Sequence, residues 1–110
     1  MTPDDAIVVL VTTASAEEGA RIGRTLVGER LAACVNVVGP IQSIYRWRDA
    51  VEEATEHLLV IKARAVDLAA LDVRLRALHS YDVPEVLALP VVGGSAAYLA
   101  WLDEATKRGG

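Results

Sequence analysis

Few residues of this chain carry chemistry beyond packing, and they fall into three groups. Cys34 is the one thiol in 110 residues, and a thiolate selects soft ions such as copper(I) and zinc. Its apolar neighbours Ala33 and Val35 equally suit a small buried side chain. His79 opens the segment His79-x-Tyr81-x-x-Pro84-Glu85, where it reads as a metal ligand or proton carrier helped by Tyr81, Asp82 and Glu85. A position at the carboxyl end of a helix, where the macrodipole favours a partly positive imidazole, also accounts for it. Asp49, Glu52, Glu53 and Glu56 form the second group. Glu52 and Glu56 share one face of a strand and could converge across a subunit interface on a hard cation, or simply protect an exposed edge with charge. Lys62 makes the third, because it interrupts the apolar run Leu58 to Ile61 on a strand expected to be central. A buried lysine needs a partner, and Glu85 or a carboxylate from a neighbouring subunit is the expected one. With Arg46 and Tyr81 it could line a cleft for an anionic ligand. No G-x-S-x-G elbow, phosphate loop, H-E-x-x-H or C-x-x-C is present, so the chain does not read as an enzyme.

These residues depend on the elements that hold them. Cys34 to Arg64 is about thirty residues of strand character broken only by Arg48-Asp49-Ala50, a hairpin whose arms far exceed the usual five or six residues. So long a ribbon must project beyond the helices that cover the rest of a small domain, and exposed edges recruit partners. The expectation is an oligomer with its site between subunits. Tyr45 and Trp47, alternating with Arg46, are expected at that interface together with Glu52 and Glu56. Gly39-Pro40 should bulge or kink the first arm.

Around the hairpin, Ala6 to Val11 reads as a strand in the middle of a sheet. Ser15 and Glu18 form a capping box for a helix whose stripe runs through Gly19, Ala20, Gly23, Leu26, Val27 and Arg30-Leu31. Its two glycines imply close approach to the sheet. Leu68, Leu71, Leu75 and Leu78 mark a second helix ending near His79. Val86 to Val91 is a fourth strand, placed at a sheet edge or strand end by Pro90. Ser95 caps a third helix carrying Tyr98, Trp101, Leu102 and Ala105, where Tyr98 and Trp101 should join the core or an interface. The tail Lys107-Arg108-Gly109-Gly110 should fray. The order fits an α+β, ferredoxin-like βαββαβ two-layer sandwich with an extra C-terminal helix, a single domain over 1–110 with its core at about 6–105.

Composition bounds the rest. A chain of this length buries about two thirds of its unfolded surface, and with 53% hydrophobic residues but no Phe its core must be Val, Leu, Ile and Ala. A net charge of −4 offers no basic field for nucleic acid. No apolar run approaches a membrane span, no signal peptide is visible at Met1 to Asp5, and one cysteine cannot form an internal disulfide. A cytoplasmic location is expected.

Five motifs then carry a likeness: Arg30-Leu31-Ala32-Ala33-Cys34-Val35-Asn36, Ser43-Ile44-Tyr45-Arg46-Trp47, His79-x-Tyr81-x-x-Pro84-Glu85, Leu89-Pro90-Val91 and Tyr98-Leu99-Ala100-Trp101-Leu102. In that order and spacing they resemble the CutA divalent-cation tolerance proteins over roughly residues 6 to 105. The resemblance implies a ferredoxin-like homotrimer joined through the long hairpin. It also implies a link to copper and other divalent ions, with no required cofactor and with His79, Glu85 and Cys34 as candidate ligands. The chain departs from the family where Asp49-Ala50 stands in place of a Gly-Lys pair, where Val11 replaces a cysteine of some members, and where Leu78 replaces a second histidine. The alternative is a PII-like regulatory trimer that binds a small anionic metabolite between subunits through Lys62, Tyr81 and Arg46 and signals to a partner protein, an analogy of fold alone.

Overall fold

Alternation along the first strand, β1 (Ala6–Thr13), divides its side chains between two environments. Ile7, Val9, Val11 and Thr13 are fully buried, whereas Val8, Leu10 and Thr12 keep partial exposure. The computed structural model describes residues 1–108 and shows why. Helix α1 (Ala16–Gly28) and helix α2 (Leu68–Leu78) cover one face of a four-stranded antiparallel sheet. Strands β2 (Cys34–Trp47), β3 (Ala50–Arg64) and β4 (Leu87–Pro90) complete it in the order β2-β3-β1-β4. The apolar β1 is central, as its composition implies, but one of its faces is uncovered.

The covered face holds the core: Ile7, Val9 and Val11 of β1, Leu59, Ile61 and Ala63 of β3, Ile22 and Leu26 of α1, and Leu71 and Leu75 of α2. Two of the three glycines of α1 make the close approach possible. A Cβ on Gly19 would stand 2.9 Å from Leu59 Cδ2, and one on Gly23 3.1 Å from Val35 Cγ1. Helix α1 starts as expected, with Ser15 accepting the Glu18 N–H at 3.1 Å. It stops earlier than its stripe, at Gly28, and Arg30 turns to positive φ. The return half of the capping box is absent: the Glu18 carboxylate accepts from Ala14 N–H instead.

The hairpin is as long as its sequence implies, with 14 residues in β2 and 15 in β3. Because β1 pairs with β3 only from His57 onward, Ala50 to Glu56 have β2 as their sole neighbour. That free ribbon extends about 23 Å at 3.3 Å per residue, and the protomer measures 46 × 25 × 22 Å. The expected kink is a register shift between Val38 and Ile41. At the tip the turn is tighter than expected. Ala50 already belongs to β3, and Arg48 and Asp49 alone connect the arms with φ of 50° and 66°. Two positive φ values mark a type I′ turn, whose second position strongly favours glycine. Asp49→Gly should therefore stabilise the folded chain by about 0.5–1 kcal/mol, read as a melting temperature higher by a few degrees. An unchanged or lower value would contradict that strain.

The fourth strand is shorter than Val86 to Val91, and it lies at a sheet edge, as Pro90 requires. Helix α3 (Ala96–Ala105) is capped by Ser95, which accepts from Tyr98 N–H. Tyr98 and Trp101 do not join the core of the protomer. Their rings meet with centroids 5.3 Å apart, tilted by 44°, and stay exposed. The tail is better held than its composition implies: Arg108 donates to the buried Asp67 and to the Arg30 carbonyl. The expectation for Gly109 and Gly110 lies outside the described residues.

The uncovered face is apolar. Register places Val8 and Leu10 beside Leu89 and Leu87 on one side and beside Lys62 and Val60 on the other, with Leu58 and Val38 next along. Accessible surface totals 6553 Å², against about 5900 Å² for a compact monomer of this mass.

Candidate functional site

The hairpin and the loop after α2 enclose the cleft that gathers most of the chemistry. Strict pairing puts Tyr45 opposite Glu52 and Ile41 opposite Glu56, so Ser43, Tyr45, Trp47, Glu52 and Glu56 share one face of the ribbon. Pro84 and its neighbours cannot continue α2, and residues 79–86 instead run across the end of β1. They bring Tyr81, Asp82, Val83 and Glu85 to the opposite wall of a cleft of about 590 Å³, floored by Thr12.

Within it Glu56 is 7% exposed, and the Tyr81 hydroxyl donates to its carboxylate at 2.7 Å. Burial and that bond to Glu56 hold the Tyr81 phenol well above its ordinary range. Burial and the charge of Glu56 also push the Glu85 carboxyl up. Glu56, Glu85 and the Tyr81 phenol, with Glu52 and Asp82 beside them, thus line one space to which no Lys or Arg among the described residues contributes.

The remaining candidates go elsewhere. His79 is buried, with both ring nitrogens engaged: Nδ1 accepts from Tyr81 N–H at 3.0 Å, which leaves Nε2 to donate to the Thr12 carbonyl at 2.8 Å. Neither nitrogen keeps a lone pair for a metal. Cys34 lies at the base of the sheet, paired in register with Lys62, which is itself opposite Val8. Four residues of β1 separate that position from Thr12, about 13 Å. Cys34, His79 and Glu85 accordingly do not meet within one copy, and among the described residues no three His, Cys, Asp or Glu side chains converge as a metal site would require. Cys34 is also less buried than its apolar flanks imply, on the uncovered face with its thiol 3.9 Å from Asn36 Oδ1.

Among the described residues Lys62 pairs with neither Glu85 nor any other carboxylate. Its ammonium donates to Asn36 Oδ1 on the adjacent strand, at the far end of β3 from the cleft. Arg46 alternates away from Tyr45 and Trp47 and does not line the cleft. Of the three residues expected around an anionic ligand, only Tyr81 is in place, and its surroundings are acidic.

Glu18 is the participant that sequence reasoning assigned to capping alone. Its carboxylate accepts from Ser80 N–H at 2.8 Å and lies 3.8 Å from His79 Nδ1. Burial raises this carboxyl, but donation by Ser80 and Ala14 more than offsets the cost and leaves it below the usual carboxylate range. The only signal in the sequence was its place three residues after Ser15.

Residues 7–105 match the CutA1 divalent ion tolerance protein family. The divalent-cation tolerance protein CutA of Thermus thermophilus is 48% identical over 99 residues, 90% of this chain and 96% of that one. A chloroplastic CutA of Arabidopsis thaliana is 47% identical over 93% of this chain, which spans only 56% of that longer protein. Solved structures agree. The cation tolerance protein of Thermus thermophilus superposes with a TM-score of 0.91 at 47% identity, covering 93% of this chain and 99% of that one. CutA1 of Oryza sativa gives 0.91 at 46% identity with 96% of each chain covered. The PII-like alternative finds no support in these matches.

Proposed function

The chain belongs to the CutA1 divalent ion tolerance family, and on that premise we propose that it serves divalent-cation tolerance as a homotrimer whose hairpin clefts take up the ion. The observation that carries the reading is the Glu56–Glu85 pair, two carboxylates lining one cleft close enough that the charge of Glu56, after partial burial, raises the Glu85 carboxyl. A cation between them would relieve that repulsion. The donors are hard oxygens, with Glu52 and Asp82 at the rim, a set suited to manganese, magnesium or zinc more than to copper(I). One protomer brings two of these carboxylates together, so water or a second copy would complete the shell. Assembly into trimers is supported by the apolar uncovered face and by a ribbon that one copy leaves bare. No helix among the described residues is long and apolar enough to cross a membrane. Relatives bear names from chloroplastic to periplasmic, and the single unpaired thiol favours a reducing compartment for this chain.

Calorimetric titration with manganese, zinc and copper(II) tests the reading. Binding should tighten as pH rises through the elevated Glu85 value, since cation and proton compete below it, and Glu85→Gln should weaken it about tenfold or more. The same group sets a stability trend. The folded state holds this proton more tightly than the unfolded chain does, so the contribution is present below the ordinary carboxylate value and is lost as pH rises through the elevated one. Glu85→Gln should remove that slope from the melting temperature. Absence of any metal binding from about pH 5 to about pH 8 would discard the cleft as an ion site.

A further inference from the structure

Eight residues, 79–86, form one wall of the cleft without any helix or strand to place them. A loop of that kind takes its position from a few bonds, and here the first three backbone donors are all accounted for. His79 N–H closes α2 on the Leu75 carbonyl at 2.9 Å. Ser80 N–H goes to Glu18 and Tyr81 N–H to the His79 ring. The acceptors are themselves fixed. Glu18 is held by Ala14 N–H in the first turn of α1, where the helix dipole favours a carboxylate, and His79 is tied through Nε2 to the Thr12 carbonyl at the end of β1. Both side chains are nearly fully buried, at 9% and 8% exposure. The Tyr81 ring then packs on the imidazole with centroids 4.7 Å apart, and its hydroxyl reaches Glu56. An unbroken series of contacts therefore runs from the amino end of α1 through Glu18, Ser80, His79 and Tyr81 to a carboxylate of the cleft.

We infer that Glu18 and His79, neither of which lines the cleft, are positioning residues that pin the 79–81 backbone so that Tyr81 orients Glu56 toward the ion. The inference rests on the reading of that cleft as the cation site. It assigns His79 a role opposite to that of a ligand: its two nitrogens are spent on protein atoms, and its effect on metal is transmitted through Tyr81.

The test separates the two readings. In protein labelled with carbon-13 at tyrosine Cζ, the Tyr81 signal, identified by its loss in Tyr81→Phe, reports the bond to Glu56 and the pH at which the phenol ionises. In Glu18→Ala and in His79→Ala that signal should move to the position of a solvated phenol and ionise nearer the ordinary value of about 10. Manganese affinity should fall about tenfold or more alongside. Glu18→Gln, which can keep an acceptor for Ser80 but turns an amide NH2 on the Ala14 N–H, should displace the signal less than Glu18→Ala does. Should Glu18→Ala fail to fold, Ser80→Pro deletes the one N–H while leaving Glu18 in place, and the extended backbone of His79 tolerates a following proline. It should displace the Tyr81 signal in the same direction. An unmoved Tyr81 signal in the folded variants overturns the positioning role whatever the metal does. A displaced signal with unchanged manganese affinity leaves the positioning of Tyr81 intact and instead removes the ion from this cleft.

Discussion

A Val60→Lys protein should sediment as a folded monomer under conditions where the unsubstituted chain sediments as a trimer. Val60 lies in the middle of the uncovered face, in register with Leu10 on one side and Asn36 on the other. Leu58, Leu87, Leu89 and Val38 extend the same surface, and the last three keep 44–57% of their own surface exposed in the protomer. In an isolated copy a lysine here can extend its ammonium into water along its own aliphatic stem, so the fold should bear it at little cost. Between copies the same ammonium would be sealed among aliphatic side chains. An unpaired charge in such a place costs several kcal/mol, and a three-fold assembly incurs that cost once per protomer. Lys62 does not provide a precedent, because Asn36 accepts from it directly. Sedimentation velocity with far-ultraviolet circular dichroism reads both halves of the result. A trimeric Val60→Lys protein, or a monomeric parent, would remove the uncovered face from the assembly.

What could be read in advance was chemistry contained within a few residues. The Ser15 and Ser95 caps, the register break at Gly39-Pro40 and the edge placement of Pro90 each follow from one backbone donor or one dihedral angle, and each appears where its residue type demands. Period-two alternation likewise grouped Tyr45 with Trp47 on one arm and Glu52 with Glu56 on the other, and only the strand register then set the two pairs on one face of the ribbon. The site itself was less legible, because its bonds join distant positions: Tyr81 to Glu56 across 25 residues and Ser80 to Glu18 across 62. Nothing local to Lys62 reveals that strand register carries it to the opposite end of β3 from Glu85. His79 misled for a related reason. Its type is that of a ligand, and only the neighbouring carbonyl of Thr12 and amide of Tyr81 show that both nitrogens are already committed.

Gly19→Val should be the most destabilising single change in the helix layer, lowering stability by about 3 kcal/mol or more and the melting temperature by about 12 °C or more at fixed protomer concentration. A Cβ alone would meet Leu59 Cδ2 at 2.9 Å, Thr13 Oγ1 at 3.2 Å and Val37 Cγ1 at 3.4 Å. Leu59 and Thr13 are fully buried, so neither can swing aside into solvent, and two further methyl groups would force α1 off the sheet. Against this stands a gain in helix propensity of under about 1 kcal/mol on replacing glycine, too small to decide the sign. Gly19→Ala isolates the first contact: its clash costs about 1–3 kcal/mol and its propensity gain recovers about 1, a smaller net loss. Gly28→Ala is the control, since it adds the same methyl group where nothing lies within 4 Å and should hold or raise the melting temperature. The displacement would not stop at the core. Glu18 precedes Gly19 directly and anchors Ser80, so a shift of α1 should also loosen Tyr81 from Glu56 and weaken manganese binding in proportion. A Gly19→Val protein that melted with the parent would show that α1 does not lie as close to Leu59 as the packing requires, and the link from the first turn of α1 to the cleft would fail with it.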